Sequence, residues 1–349
     1  MGPQAGRDGA TEASRRRRAG RLPKAGEGHL RRLRRTLTEY LPGRNLKPTT
    51  VKNYTISVRR HLVPFFGGYE LSDLEQQPEL LDRYVAAKLK SGLSAKSVGN
   101  TLTDLRLVLK QAVRQRLIRA NPVDDVERPR YEPPEMQVLS EAEIARLWGA
   151  YRELEQGAIA AERPWWQLAR AITFVGLGTA MRRGELLGLR WSDVRMLDGV
   201  VQVRAAFVDG RFTTPKSRSS RRLIELGPRT RELLAQRWQE TAYRDERDLV
   251  FCHPTKGTPL DASKLARGYL RPALRRAGIT KPFRPFHDLR HTALTHEAAA
   301  GNPMVYVQLK AGHSQVAVTE RYVHAAQVLF PGAAERAEAR MFGTSRLGS

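Results

Sequence analysis

The run His287-Asp288-Leu289-Arg290-His291 concentrates the side chains with the most chemistry to offer in this chain. His287 and Arg290 are three apart and share one face if the segment is helical. Such a pair suits a phosphate: the guanidinium presents a planar donor fork to two non-bridging oxygens, and the imidazole takes or gives a proton near neutral pH. His287 and His291 are also four apart, as in zinc-binding helices, but the general-base Glu of that motif is replaced by Asp288. A helix start with two satisfied histidines and an arginine is the plain structural alternative. Two other segments offer similar groups. Thr179 to Trp191 ends one apolar helix and begins another, with Arg182, Arg183 and Glu185 at the junction, and Gly312-His313-Ser314 precedes Tyr322 in Thr319-Glu320-Arg321-Tyr322.

Helices and a few strands must position these groups. Val51, Tyr54, Val58 and Leu62 recur at helical spacing before Pro64 and Gly67-Gly68. A second helix is expected from about Pro78 to Lys90, and a third from the N-cap Ser94 to Arg119. The third carries an apolar seam of Val98, Leu102, Leu105, Leu109 and Ala112. Lys96, Asn100, Thr103, Lys110 and Arg114 lie on another face, which together with Lys52 forms a candidate DNA-contact surface or an ordinary solvated one. Glu127 to Met136, with Pro129, Pro133 and Pro134, reads as an extended linker. Ser140-Glu141-Ala142-Glu143 is a capping box opening a helix to residue 156, and further helices are expected from Pro164 towards Gly178 and from Gly184 through Leu189. Val200 to Phe207, the turn Asp209-Gly210 and Arg211 to Thr214 read as a hairpin, with a third strand from Arg221 to Leu226 and Lys216 on the polar tip between them. The rest is expected to be helical to about Arg340.

Length and composition set the frame. The 349 residues are enough for two domains with sizeable cores, and 60 Lys and Arg against 36 Asp and Glu leave a net charge of +24, which draws the chain to polyanions such as nucleic acid. Residues 1–47 mix Gly, Ala and Arg with few aromatics and read as a basic, disordered leader. The single Cys252 excludes an internal disulfide or a cysteine zinc cluster and fits a reducing compartment. The longest uncharged apolar stretch, Ala171 to Met181, is far short of the roughly 18–20 residues that span a bilayer, and no apolar run of a secretory signal follows Arg15 to Arg18. A cytoplasmic protein with no membrane contact is expected.

Taken together, the segments resemble the tyrosine recombinase family, the phage-integrase type of site-specific DNA recombinase, in the family's own motif order. The pattern T-G-L-R-x-x-E-L appears as Thr179 to Leu186, H-x-L-R-H-T as His287 to Thr292, G-H-S as Gly312 to Ser314, and the nucleophile motif ends at Tyr322. Ala180-Met181 stands where Gly-Leu is usual, and Lys310-Ala311 precedes the Gly-His where a Leu is usual; neither removes a catalytic group. The resemblance implies a mainly helical fold with a small antiparallel three-stranded sheet. A helical core-binding domain (48–128), a linker (129–135) and a catalytic domain (136–330) would form a clamp around DNA, and a tail (331–349) would dock on a neighbouring subunit. It implies Arg182 and Arg290 as the arginines clamping the scissile phosphate, Lys216 as the hairpin lysine, His287 and His313 as the active-site histidines, Tyr322 as nucleophile and Glu185 as support. His291 is assigned to packing.

The implied chemistry needs neither metal nor nucleotide cofactor. Two guanidiniums meet the charge that grows on the phosphodiester, His287 is expected to take the phenol proton, and Lys216 to protonate the departing 5′-oxygen. The covalent 3′-phosphotyrosine conserves the bond energy, so a second 5′-hydroxyl can reverse the step. The implied partners are double-stranded DNA sites, three further copies of the chain in a tetramer, and accessory directionality or DNA-bending proteins. Three other readings stay open here: a DNA-binding protein of the same fold without catalysis, a metal-dependent nuclease built on His287, Asp288 and His291, and a monomeric topoisomerase.

Overall fold

The structure is a computed structural model, and it describes residues 48–213 and 222–330. The expected leader (1–47), the hairpin tip with Lys216 and the tail (331–349) lie outside the described residues. The chain divides into two compact units between Pro133 and Pro134, inside the stretch 129–135 read as a linker, which carries no helix or strand.

In the first unit, α1 (Pro48–Ser57) runs through a π-turn, Val58–Leu62, into α2 (Val63–Phe66). Then follow α3 (Leu71–Gln76), α4 (Glu79–Lys90) and α5 (Ala95–Arg114). The apolar seam of α5 is buried against Val58, Leu62, Phe66, Leu81 and Tyr84. Ser94 accepts from the backbone N–H of Ser97 and caps α5 as its sequence requires. The helix stops five residues short of the expected Arg119. Arg116 turns left-handed at φ 59°, and the N–H groups of Arg116 and Leu117 fold back onto the carbonyls of Val113 and Ala112. The short α3 was not foreseen, since its six residues are too few for a periodic signal.

The second unit begins with α6 (Glu141–Gln156), whose Ser140 and Glu143 form the reciprocal capping box. α7 (Arg163–Thr179) is the central helix: Leu168, Ile172 and Val175 are fully buried, and it packs on α9 (Pro228–Glu240) and α12 (His287–Ala299). Between α7 and α9 lie α8 (Arg183–Leu187) and five short strands, β1 (Val194–Arg195), β2 (Val200–Val203), β3 (Ala206–Val208), β4 (Arg211–Thr213) and β5 (Arg222–Glu225). The remaining helices are α10 (Ala262–Leu265), α11 (Arg271–Arg276), α13 (Met304–Ala311) and α14 (Val316–Leu329).

The expected small antiparallel sheet and hairpin are both present, with one strand divided between them. Val200 to Phe207 is broken into two: β2 pairs with β1 and β5 in one antiparallel sheet, and β3 pairs with β4 around Asp209-Gly210 in another. The turn dipeptide was read correctly, and among the described residues its pairing runs from Ala206 to Thr213.

Gly184 and Gly188 hold the β3–β4 hairpin against α8. A Cβ on Gly188 would lie 2.8 Å from the backbone nitrogen of Phe207, and one on Gly184 would lie 2.9 Å from Val208 and 3.1 Å from the carbonyl of Phe207. Gly188→Ala is therefore expected to lift the hairpin and cost about 1–3 kcal/mol by overpacking, read as a lower midpoint in urea unfolding. An unchanged midpoint would show that the hairpin moves away without cost.

Candidate active site

Helix α13 ends at Ala311, and its last carbonyls have no partner within the helix. Three arginines from three other elements supply the donors. Arg222 Nε donates to the carbonyl of Lys310 at 2.6 Å, Arg290 Nη2 to that of Ala311 at 2.7 Å, and Arg182 Nη2 to that of Gly312 at 2.9 Å. A helix C-terminus carries partial negative charge, so it both orients the guanidiniums and lessens their mutual repulsion. Gly312 must be glycine for two reasons. Its φ is +64°, and a Cβ there would lie 3.0 Å from Arg222 Nη1.

Glu185 completes this frame. It accepts from the Arg182 backbone N–H at 2.9 Å and from Arg182 Nη1 at 3.0 Å, while Arg222 grips both its oxygens at 3.1 and 2.9 Å. Burial alone would raise its carboxyl pKa, but the hydrogen bonds and charge of Arg222, with those of Arg182, hold it below the usual range. The Arg182 side chain remains 41% exposed, within reach of a ligand from solvent. Arg290 is buried and also donates from Nη1 to the carbonyl of Ala180 at 2.6 Å. That carbonyl is aimed by the left-handed conformation of Ala180 (φ 53°) at the end of α7, the conformation that makes Gly the usual residue there. Burial, and then the charge of Arg182, lower the Arg290 guanidinium to about 10, which leaves it cationic at neutral pH.

Tyr322, on α14, packs its ring among Ala180, Ala293, Leu294, Val307 and Ala311 and is 4% exposed. The ring of His313 stacks on it at 5.8 Å. Arg290 Nη2 donates to His313 Nε2 at 3.1 Å, and because a guanidinium only donates, the His313 proton sits on Nδ1 and points to Thr319 Oγ1 at 3.0 Å. Burial, and the charges of Arg290 and Arg182, push His313 down to about 4. Burial raises the Tyr322 phenol above its ordinary pKa, against the opposing pull of Arg290, Arg321 and Arg182.

The partner of the phenol is a residue that the sequence reading left out of the site. His291, assigned to packing, has Nδ1 2.9 Å from the Tyr322 hydroxyl and Nε2 2.9 Å from Nε2 of His287. His287, expected to touch the phenol, reaches it only through His291. Burial, then the charges of neighbouring groups led by His287, push His291 down to about 4, and burial with Arg284 lowers His287 as well. The signal for His291 was present in the four-residue spacing, which sets the two rings edge to face on one side of the helix. Arg222 was missed too, having been read only as part of a strand.

His287, Asp288 and His291 place one donor atom each within 4.8 Å of one another. Their lone pairs are committed, however. Asp288 accepts the Arg284 backbone N–H at 2.6 Å and its guanidinium at 2.7 Å, and the histidines bond each other. The guanidinium already supplies the cation that this carboxylate needs.

Of the candidate DNA contacts, Lys52, Lys96, Asn100, Thr103, Lys110 and Arg114 are all exposed. Two are engaged by the chain leaving the first unit: Arg128 donates to Thr103 Oγ1 at 3.1 Å, and Lys96 Nζ lies 5.1 Å above the ring of Tyr131. Lys216 lies outside the described residues.

The frame around α13 can hold a phosphodiester between Arg182 and Arg290 and attack it with a phenol, the work of a DNA strand-transfer enzyme. Known proteins agree with that class. The model of the phage integrase family matches residues 138–328, and the chain belongs to this family, whose tyrosine recombinases are enzymes that cleave and rejoin DNA strands. It is 25% identical to the ICEBs1 integrase of Bacillus subtilis (strain 168) over 78% of this chain and 73% of that one. It is 26% identical to the tyrosine recombinase XerD of Pseudomonas putida over 79% and 87%. The fold matches that of the Tn1549 transposon integrase, solved in complex with transposon right end DNA, with a TM-score of 0.70 at 18% identity over 89% of this chain and 99% of that one. A lambda integrase tetramer bound to a Holliday junction gives a TM-score of 0.64 at 17% identity over 91% and 82%. Among the described residues no helix is long and apolar enough to cross a membrane.

Proposed function

We propose that the protein is the site-specific recombinase of a phage or other mobile element, integrating or excising it through a covalent 3′-phosphotyrosine at Tyr322. Arg182 and Arg290 clamp the scissile phosphate, His313 accepts from Arg290 and holds that guanidinium in place for it, and Glu185 fixes the angle of Arg182. Lys216 protonates the departing 5′-oxygen. The observation that carries this reading is the placement of the Tyr322 phenol beside Arg290 and His313, on the helix end where the three arginines meet. A phenol buried beside cationic donors is poised to attack an anion that those donors bind.

The rest of the reading concerns assembly. Each unit contributes to binding the duplex, with exposed cations of α5 such as Lys110 and Arg114 tracking phosphates. Four copies act on two DNA sites, the C-terminal tail docks on a neighbouring copy, and accessory proteins set direction. The protein works in the cytoplasm on nucleoid DNA. Its charge of +24 supports strong, salt-dependent duplex binding.

The test is incubation with labelled duplexes spanning the DNA that flanks the coding sequence, in EDTA, followed by denaturing electrophoresis. An SDS-resistant, protease-sensitive adduct is expected on one of them, formed equally well without divalent metal. Binding without an adduct, even on nicked duplexes that trap the cleaved product, would favour a silent DNA-binding protein. Cutting that stops with the chelator would favour a metal nuclease.

A further inference from the structure

We infer that the Tyr322 proton leaves through a two-histidine relay, from the phenol to Nδ1 of His291 and from Nε2 of His291 to Nε2 of His287. The inference rests on the reading of Tyr322 as nucleophile and adds a catalytic role for His291. Elimination leads there first. Arg182 and Arg290 carry no acceptor, and both nitrogens of His313 are occupied, Nε2 by Arg290 and Nδ1 by Thr319. The Asp288 carboxylate is held by Arg284. Among the described residues, that leaves His291 Nδ1, 2.9 Å from the hydroxyl, as the acceptor in contact with the phenol.

The second link follows from the helix. One turn of α12 sets the His287 ring 4.3 Å from that of His291, edge to face at 77°, with the two Nε2 atoms 2.9 Å apart. A neutral His291 that accepts at Nδ1 carries its proton on Nε2 and donates it to His287. His291 is 6% exposed, so an imidazolium there is costly, whereas His287 is exposed and can hold the charge near solvent. The charged groups facing the pair are Arg284, Arg290, Arg321 and Asp288.

The step balances. As the Tyr322 oxygen bonds to phosphorus and the P–O5′ bond breaks, the phenol proton moves to His291 Nδ1 and the His291 Nε2 proton moves to His287. His291 ends neutral as its other tautomer, and His287 ends as imidazolium. The leaving 5′-oxygen takes a separate proton from Lys216. Rejoining runs both transfers backwards and returns a proton to the phenol as its bond to phosphorus breaks.

The experiment is single-turnover adduct formation between about pH 6 and pH 9 on whichever flanking duplex reacts with the wild-type protein. It compares wild type, His291→Asn, His287→Gln and the double variant. Asn reaches the phenol with an amide but relays nothing. His291→Asn is expected to cleave about 10²–10⁴-fold more slowly with unchanged DNA affinity. Its rate should rise about tenfold per pH unit as the phenol ionises unaided, against a flat wild-type profile above neutral pH. The double variant should lose no more than His291→Asn alone, because the two histidines act as one unit. Replacing Tyr322 by a difluorotyrosine, a more acidic phenol, should restore most of the rate, which no purely structural role for His291 would allow. A flat profile for His291→Asn, or no rescue by the fluorinated tyrosine, overturns the relay. If His291→Asn does not fold, the same rescue is read in His287→Gln, and its absence there overturns the relay equally. Absence of a wild-type adduct would instead remove the phosphotyrosine reading itself.

Discussion

Tyr322→Phe is expected to lower covalent adduct formation by at least about 10⁴-fold, to the limit of detection, while leaving DNA affinity within about twofold of wild type. The size of the effect follows from chemistry. On the proposed mechanism the substitution removes the atom that would bond to phosphorus and leaves Arg182 and Arg290 in place to bind the phosphate. Its structural cost is small. The ring stays packed among Ala180, Ala293, Leu294, Val307 and Ala311, and the hydroxyl gives up its hydrogen bond to His291. Loss of that bond costs about 1–2 kcal/mol and leaves a folded protein. Denaturing electrophoresis reads the adduct and fluorescence anisotropy reads the affinity. Full adduct yield in Tyr322→Phe would move the nucleophile elsewhere, and a parallel loss of affinity would make Tyr322 a binding residue.

The sequence made the helices and most of the reactive groups legible because those features are local. The Ser140–Glu143 box, the Ser94 cap and the apolar seam of α5 are each written in fewer than twenty residues, and the structure follows them. The motif residues Arg182, Glu185, His287, Arg290, His313 and Tyr322 were recognisable in order. Their mutual geometry was not. Lys310, Ala311 and Gly312 receive arginines from β5, α12 and the start of α8, and no spacing rule links residues 88, 21 and 130 apart. Arg222 looked like any strand residue for that reason. The misread hairpin has the opposite cause. β-Branched content marks a strand but does not say where it changes partner, so Val200 to Phe207 gave no warning of its break.

The Glu185–Arg222 pair predicts a separation of stability from activity. Glu185→Leu removes the carboxylate that grips the buried Arg222 through both its oxygens, and is expected to cost about 3–5 kcal/mol in unfolding free energy. Adding Arg222→Met removes the buried guanidinium that had lost its carboxylate partner, so the double variant should recover a large part of that loss, giving strong coupling in a double-mutant cycle. Activity should not recover with it. Arg182 loses its bond to Glu185 in both variants, and the carbonyl of Lys310 loses its donor in the second, so the helix end that carries His313 is less firmly held. Adduct formation is therefore expected to stay about 10²-fold or more below wild type in the stabilised double variant. If activity rises in step with stability, Glu185 and Arg222 serve the fold alone, and Arg182 needs no brace to meet the phosphate. If stability recovers while activity stays low, the pair is a positioning device: one carboxylate, held by a buried arginine, sets the angle of the exposed one.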